Sequence, residues 1–262
     1  MRLLASSVLM YAYPLSEIIP LAHEWGYDGI EVWHFHLLQT GEKAADVARL
    51  ARQHNLYLSV HALSWDLNYT SRLEKVREAS LQALENSIRL THELGAETVV
   101  VHPGRVTIPM EDPEESWPDL IEGTRRLVAC AQKEQVKFSI EIMEHIPREF
   151  FINPPDAARL VKEINSPALS VTVDSAHVPW DQDLVSYFQA APCVEHVHIS
   201  DSTSKKLHLP LGKGERDHTD FLRYISKHFP DMNIVIEGME FLRNPDLAIH
   251  NKKQFDILLT QL

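Results

Sequence analysis

Residues 170–177 read SVTVDSAH, an alternation of small polar and β-branched residues that ends on an acid. Such alternation is typical of a β-strand, because successive side chains point to opposite faces. Asp174 closes the run, and His177 follows three residues later. An acid and a histidine in these places fit either a solvated turn or a metal site at the end of a strand. The rest of the chain decides between the two.

Seven further segments have the length and composition of strands, and amphipathic segments separate them. Strand patterns predict strands over 3–8, 28–33, 57–62, 97–102, 137–142, 169–174, 194–199 and 232–237. Helical spacing of apolar residues predicts helices over 16–25, 43–54, 74–94, 116–134, 155–165, 181–190, 218–228 and 246–261. Strict alternation of strand and helix predicts parallel strands, since each return to the sheet needs a crossover.

Eight strand–helix units over about 250 residues predict an α/β fold, the (β/α)8 TIM barrel. We expect residues 1–262 to form this barrel as a single domain. A doubly wound open sheet is the main alternative, but no glycine-rich phosphate loop follows the first predicted strand.

Composition narrows the class of function and the compartment. Hydrophobic residues make up 44% of the chain, enough for a sizeable core, and the formal net charge of −12 opposes binding to nucleic acid. No apolar run approaches the ~18 residues of a membrane span, so we expect no membrane partner. Cys130 and Cys193 are too few for a zinc-finger or disulfide framework. The reducing cytoplasm is therefore the expected compartment.

Ionisable residues stand at the C-terminal ends of six consecutive predicted strands, the ends that form the active face of such a barrel. In chain order they are His61, His102, Glu141, Asp174, His198 and Glu237. Any one of them alone fits a helix cap, a loop charge or a histidine bonded to a carbonyl. Six at equivalent places indicate a shared site.

The charges at these strand ends predict a bound cation. Three carboxylates that converge without a counter-charge repel one another, and a divalent metal offsets that repulsion. Mixed histidine and carboxylate ligation suits transition metals. We expect zinc or manganese first, with cobalt, iron or magnesium as alternatives.

These motifs resemble those of the xylose isomerase-like barrel superfamily, which contains sugar isomerases and epimerases, inosose-processing enzymes and AP endonucleases of the endonuclease IV type. The resemblance implies that four residues hold one metal: Glu141 in FSIEIME, Asp174 in VTVDSAH, His198 in HVHISDS and Glu237 in IVIEGME. It also implies that Glu141 and Glu237 act as acid and base on a sugar carbon.

Contacts to a substrate are expected around the metal ligands. His177 matches a histidine that usually touches substrate in the isomerase branch, and histidines also occur there at the places of His61 and His102. His208, in an adjoining loop, is expected to contact substrate, and Lys206 could bind a phosphate or carboxylate. Glu31 in YDGIEVW matches a glutamate common on the second strand of that branch.

The endonuclease IV pattern is only partly present. His61 and His102 match ligands of its multi-zinc site, and His177 and His208 match two of three ligands of its third zinc. The third ligand should be an aspartate two residues before His208, where this chain has Lys206. A cation at that place opposes a third metal.

The sequence therefore predicts a metal-dependent isomerase or epimerase that acts on a sugar, sugar phosphate or related polyol. Proton transfer would take place next to a metal-polarised carbonyl. The alternative is an endonuclease IV-like phosphodiesterase that acts on abasic DNA. The expected partner is a small sugar or polyol, and the sequence leaves a homo-oligomer open.

Overall fold

The computed structural model describes all 262 residues and closes eight parallel strands into a single TIM barrel. The strands are β1 (Arg2–Ser6), β2 (Gly29–Trp33), β3 (Tyr57–His61), β4 (Thr98–Val101), β5 (Lys137–Ile142), β6 (Leu169–Asp174), β7 (Val194–Ile199) and β8 (Asn233–Ile236). Each strand pairs with the next, and β1 pairs with β8 to close the barrel. The predicted fold is confirmed.

Nine helices surround the barrel. They are α1 (Leu15–Glu24), α2 (His34–Thr40), α3 (Ala44–Gln53), α4 (Glu74–Leu94), α5 (Trp117–Glu134), α6 (Pro154–Ile164), α7 (Leu184–Ala190), α8 (Thr219–His228) and α9 (Asp246–Leu259). Short 3-10 turns cover Ser7–Met10 and Pro113–Ser116. None of the helices is long and apolar enough to cross a membrane.

The structure departs from the predicted elements in three places. Helix α2 was not predicted, because its aromatic and histidine residues are weak helix formers and only seven residues separate Trp33 from Gly41, which ends the helix with φ +67°. The first strand stops at Ser6 and a 3-10 turn follows. Helix α7 starts at 184, since Asp183 caps it by accepting the backbone N–H of Ser186 at 2.8 Å.

The barrel carries its apolar residues mainly on the outside. A cluster of 60 buried hydrophobic residues, including Val171 and Val173 of β6, packs between the strands and the helices. Inside the barrel, polar side chains meet: Ser139 of β5 lies 2.6 Å from Thr172 of β6, oxygen to oxygen. The alternation in SVTVD therefore places small polar residues inward and valines outward.

Helix α6 begins with a capping box that gives a direct test of the local structure. The Asn153 side chain accepts the backbone N–H of Asp156 at 3.1 Å, and the Asp156 carboxylate accepts the backbone N–H of Asn153 at 3.1 Å. Asn153→Ala removes the first of these bonds. We expect it to lower the free energy of unfolding by about 1 kcal/mol, measured by urea denaturation.

The control is Asn86→Ala, the same chemical change in the middle of α4, where the side chain is exposed and accepts only a surface hydrogen bond from Arg89 at 2.8 Å. Alanine is the better helix former there, so the free energy of unfolding should stay equal or rise slightly. Equal losses in the two variants would contradict the capping role of Asn153.

Candidate active site

His198 lies at the centre of a cluster of carboxylates at the C-terminal rim of the barrel. Its Nδ1 atom is 3.3 Å from Glu141 Oε1 and 3.1 Å from Glu237 Oε1. Ligand atoms of Glu141, Asp174 and His198 all lie within 4.8 Å of one another. Asp174 is the register partner of His198 between β6 and β7, while Glu237 directly follows β8. The structure thus brings together all four residues expected to hold a metal.

The donor set of this cluster fits a divalent cation. Asp174 Oδ2 is buried and has no hydrogen-bond partner, and Glu141 Oε2 is buried with only the 3.1 Å approach of His102 Nε2 beside it. A buried carboxylate oxygen without a partner carries a large desolvation cost, which a coordinated cation would offset. One imidazole with three carboxylates is a ligand set that zinc and manganese accept. Glu141, Asp174, His198 and Glu237 would hold the ion.

The close carboxylates strongly perturb one another and the central imidazole. Burial alone would raise the pKa of Glu141, but His198 and His102 hold it well below its usual range. Burial, helped by Asp174 and Glu141, raises the pKa of Glu237 despite the nearby His198. Burial alone would lower the pKa of His198, yet Glu237, Glu31 and Glu141 raise it well above 6.5. The cluster carries excess negative charge and attracts cations.

His61 and His102 flank Glu141 on one side of the cluster. The two Nε2 atoms are 3.1 Å apart, and His102 Nε2 is 3.1 Å from Glu141 Oε2. The Trp33 ring stacks on His61 with centroids 3.9 Å apart. Burial and the neighbouring His102 lower the pKa of His61 to about 3, so this imidazole is neutral near pH 7. Both histidines lie where the sequence predicts them, His102 one residue past β4.

His177 and His208 lie on the other side, beside Asp174. Their Nε2 atoms are 3.3 Å apart, and His177 Nε2 is 3.7 Å from Asp174 Oδ2. Burial alone would lower the pKa of His177, but Asp174, Glu141 and Glu144 raise it to about 9. Lys206 is exposed and does not line the cavity. Lys206 therefore lies outside the group of residues with which the sequence predicts it to contact substrate.

A cavity of about 210 Å³ opens above the cluster. Four side chains at the wall of this cavity have no role predicted from the sequence: Val8, Met143, Glu144 and Met239. Glu144 Oε2 is buried, has no hydrogen bond and lies 3.5 Å from His177 Nε2. Its place in FSIEIME, three residues after Glu141, was a signal that could have found it.

Asp201 anchors the loop that carries His208. Its carboxylate accepts the backbone N–H groups of Gly212 at 2.9 Å, Gly214 at 2.9 Å and Arg216 at 3.1 Å. A Cβ on Gly214 would lie 2.3 Å from Asp201 Oδ1, so only glycine fits at this approach. No local pattern predicts this role of Asp201, although the residue belongs to the HVHISDS motif.

A family model described as a xylose isomerase-like TIM barrel matches residues 19–251. The chain belongs to the xylose isomerase-like TIM barrel family. The resemblance inferred from the strand-end motifs is thereby confirmed, and the rim cluster lies where barrels place their chemistry.

The chain is also similar to curated proteins and to solved structures. An uncharacterised protein of Methanocaldococcus jannaschii, MJ1614, is 26% identical over 208 residues, which cover 78% of this chain and 80% of that protein. A D-tagatose 3-epimerase-like protein superposes with a TM-score of 0.87 at 23% identity, over 99% of this chain and 97% of the other. An L-ribulose 3-epimerase superposes with a TM-score of 0.84 at 17% identity, over 99% of this chain and 94% of the other. At these identities the two structures establish the shared barrel only.

The donor set predicts about one equivalent of divalent metal per chain in protein purified without chelator. Glu141→Ala and His198→Ala should each remove most of it, because each deletes a ligand from a set of four. Elemental analysis by mass spectrometry measures the content. Glu163→Ala, an exposed change on α6, is the matched control and should retain the metal. Unchanged content in both site variants would rule out this metal centre.

The same measurement separates a substrate role of His177 from a ligand role. Asp174, His177 and His208 also have ligand atoms within 4.8 Å of one another, so a second cation is the competing interpretation. We expect His177→Ala to keep its full equivalent of metal. Two equivalents in the unaltered protein, falling to one in this variant, would contradict the expected role.

Proposed function

We propose that this protein is a divalent metal-dependent epimerase or isomerase that acts on a ketose or a related polyol. One observation carries the proposal. Two carboxylates, Glu141 and Glu237, both approach the same His198 nitrogen within 3.3 Å and both line one small cavity. Paired carboxylates around a cation suit the transfer of a proton at a carbon next to a carbonyl.

The two carboxylates can address a substrate from different sides. Glu141 is on β5 and Glu237 directly follows β8, so two strands separate them around the rim. Held by the cluster, a divalent cation would supply Lewis acidity to a substrate carbonyl and so make the neighbouring C–H more acidic. One glutamate then removes the proton. The other returns a proton to the opposite face for epimerisation, or to the adjacent carbon for isomerisation.

Histidines around the cavity would orient the sugar. His177 donates a hydrogen bond from Nδ1 to the Ile142 carbonyl oxygen at 2.9 Å, which fixes its ring beside the cluster. Its Nε2 then faces Asp174, Glu144 and the cavity, where it can contact a substrate oxygen. His102 and His208 line the same cavity and offer further polar contacts to hydroxyl groups.

The lining of the cavity favours a sugar without phosphate. It contains no lysine or arginine, and Lys206 lies outside it. A phosphate would meet Glu141, Glu144 and Glu237 with no lysine or arginine to pair with, and the cationic His177 already lies beside Asp174 and Glu144. The apolar walls of Trp33, Met143 and Met239 suit the C–H face of a neutral monosaccharide. The names of the D-tagatose 3-epimerase-like protein and the L-ribulose 3-epimerase support a ketose.

One observation favours the alternative, a phosphodiesterase that acts on abasic DNA. His61, His102 and Glu141 have ligand atoms within 4.8 Å of one another and could hold a second metal. The net charge of −12 and the absence of lysine and arginine from the cavity oppose a polyanionic substrate. We therefore rank sugar chemistry first.

Deuterium exchange tests the proton transfer directly. In D₂O, the metal-loaded protein should incorporate deuterium into a ketose substrate at the reacting carbon, as seen by NMR. Glu237→Gln removes the carboxylate that exchanges the proton but keeps an oxygen donor for the metal. We expect it to slow exchange by about 10²- to 10⁴-fold. Glu215→Gln, an exposed change in the loop before α8, should exchange at the normal rate.

The assay should include a panel of ketoses, ketose phosphates and inososes, together with abasic-site DNA. Rapid exchange that survives Glu237→Gln would contradict the role of this residue. Cleavage of abasic DNA with no exchange into any sugar would replace the proposal with the alternative.

A further inference from the structure

We infer that Glu31 is a positioning residue, which holds His198 with its Nδ1 lone pair directed at the proposed metal centre. The inference rests on the proposed function, because it concerns how that centre is held. Glu31 belongs to β2 and is fully buried beneath the rim. His198 belongs to β7, so the contact between them crosses the interior of the barrel.

The Glu31 carboxylate is surrounded by donors. Its Oε2 accepts the hydroxyl of Ser59 at 3.0 Å and lies 2.8 Å from His196 Nε2. Its Oε1 lies 3.1 Å from His198 Nε2, although neither atom makes a hydrogen bond in the structure. A carboxylate accepts hydrogen bonds and offers none, so the two facing ring nitrogens must carry the hydrogens.

The assignment of the hydrogen on His198 decides what its other nitrogen can do. Metal binding requires the ring of His198 to release one of its two hydrogens. If Nε2, 3.1 Å from the Glu31 carboxylate, keeps its hydrogen, the lone pair is on Nδ1. Nδ1 is the atom that lies 3.1 Å from Glu237 and 3.3 Å from Glu141, in the carboxylate cluster. The opposite tautomer would direct a hydrogen to the place of the cation. Glu31 therefore selects the ring state that can ligate.

A purely structural role does not explain a carboxylate at this depth. Glu31 has no lysine or arginine partner; its charged contacts are only His196 and His198. Burying such a group is costly, and an apolar residue such as Val100, which is also fully buried in β4, fills an interior without that cost. The contact to His198 supplies a reason for the acid.

Glu31, His196 and His198 also have ligand atoms within 4.8 Å of one another, which raises the question of a cation between them. Two ligands of a tetrahedral ion with bonds near 2.0–2.1 Å lie about 3.3 Å apart. The Glu31–His196 distance is 2.8 Å, the length of a direct hydrogen bond. Glu31 and His196 are thus too close to share an ion as two of its ligands, which assigns the cation to the Nδ1 side of His198.

The experiment measures zinc affinity by competition with a chromogenic chelator. In Glu31→Gln the neutral amide is a weaker acceptor, and its NH₂ group can donate to a ring nitrogen, so the selection of the tautomer is lost. We expect zinc to bind about 10- to 100-fold more weakly. The matched control is Ser59→Ala, which removes another donor from the same carboxylate but leaves both histidine contacts. It should bind zinc within about threefold of the unaltered protein.

A second measurement uses the unaltered protein and does not depend on the folding of a variant. Nitrogen-15 NMR of the zinc-loaded chain reports the ring state of each histidine, with His198 assigned by comparison with His198→Asn. The inference requires a hydrogen on Nε2 and zinc on Nδ1. A hydrogen on Nδ1 would overturn it.

The outcomes separate this inference from the proposed function. Normal zinc affinity in Glu31→Gln, with one zinc still lost in His198→Ala, would overturn the role of Glu31 and leave the metal centre intact. If zinc affinity fell equally in Ser59→Ala and Glu31→Gln, a change in local packing would explain the loss. That result would also overturn the positioning role of Glu31. Absence of zinc binding by the unaltered protein would overturn both.

Discussion

Barrel closure forces three carboxylates of like charge to share the space beside one imidazole. Asp174 and Glu141 are held by neighbouring strands, β6 and β5, while Glu237 leaves β8, and none of the backbones can move away without opening the sheet. The backbone hydrogen bonds that close the barrel therefore hold these carboxylates close enough to repel one another. The surrounding histidines, and a cation when one is bound, counter this repulsion, and the chemistry proposed for the rim depends on this fixed crowding.

The sequence predicts the parts of the structure that local patterns determine. Asp174 ends β6 in the structure as in the prediction, because a period of two persists up to the residue where pairing stops. The sequence also predicts that Glu141, Asp174, His198 and Glu237 lie close together, because each stands at the C-terminal end of a predicted strand. Their roles as ligands and as acid and base stay predictions until metal and activity are measured.

Features that depend on contacts between residues far apart in the chain could not be predicted from local sequence patterns. Lys206 belongs to a loop whose path follows from the bonds of Asp201 to Gly212 and Gly214, and no local pattern shows that the lysine points away from the cavity. Helix α2 is short and stabilised by burial of His36 and Leu37 rather than by its propensity. Glu144 needed the conformation of the segment after β5 before its side chain could be placed.

Asp201 fixes the base of the loop that carries His208, while the crest of that loop is exposed to solvent. The base of the loop is fastened to the end of β7, the strand that carries His198, whereas residues 204–206 along its crest are exposed. Exposed residues accept substitution at little cost in stability. Changes along the crest can therefore accumulate while the carboxylates and His198 beneath keep their geometry. A barrel of this construction can vary the outer surface of its rim without disturbing the buried cluster.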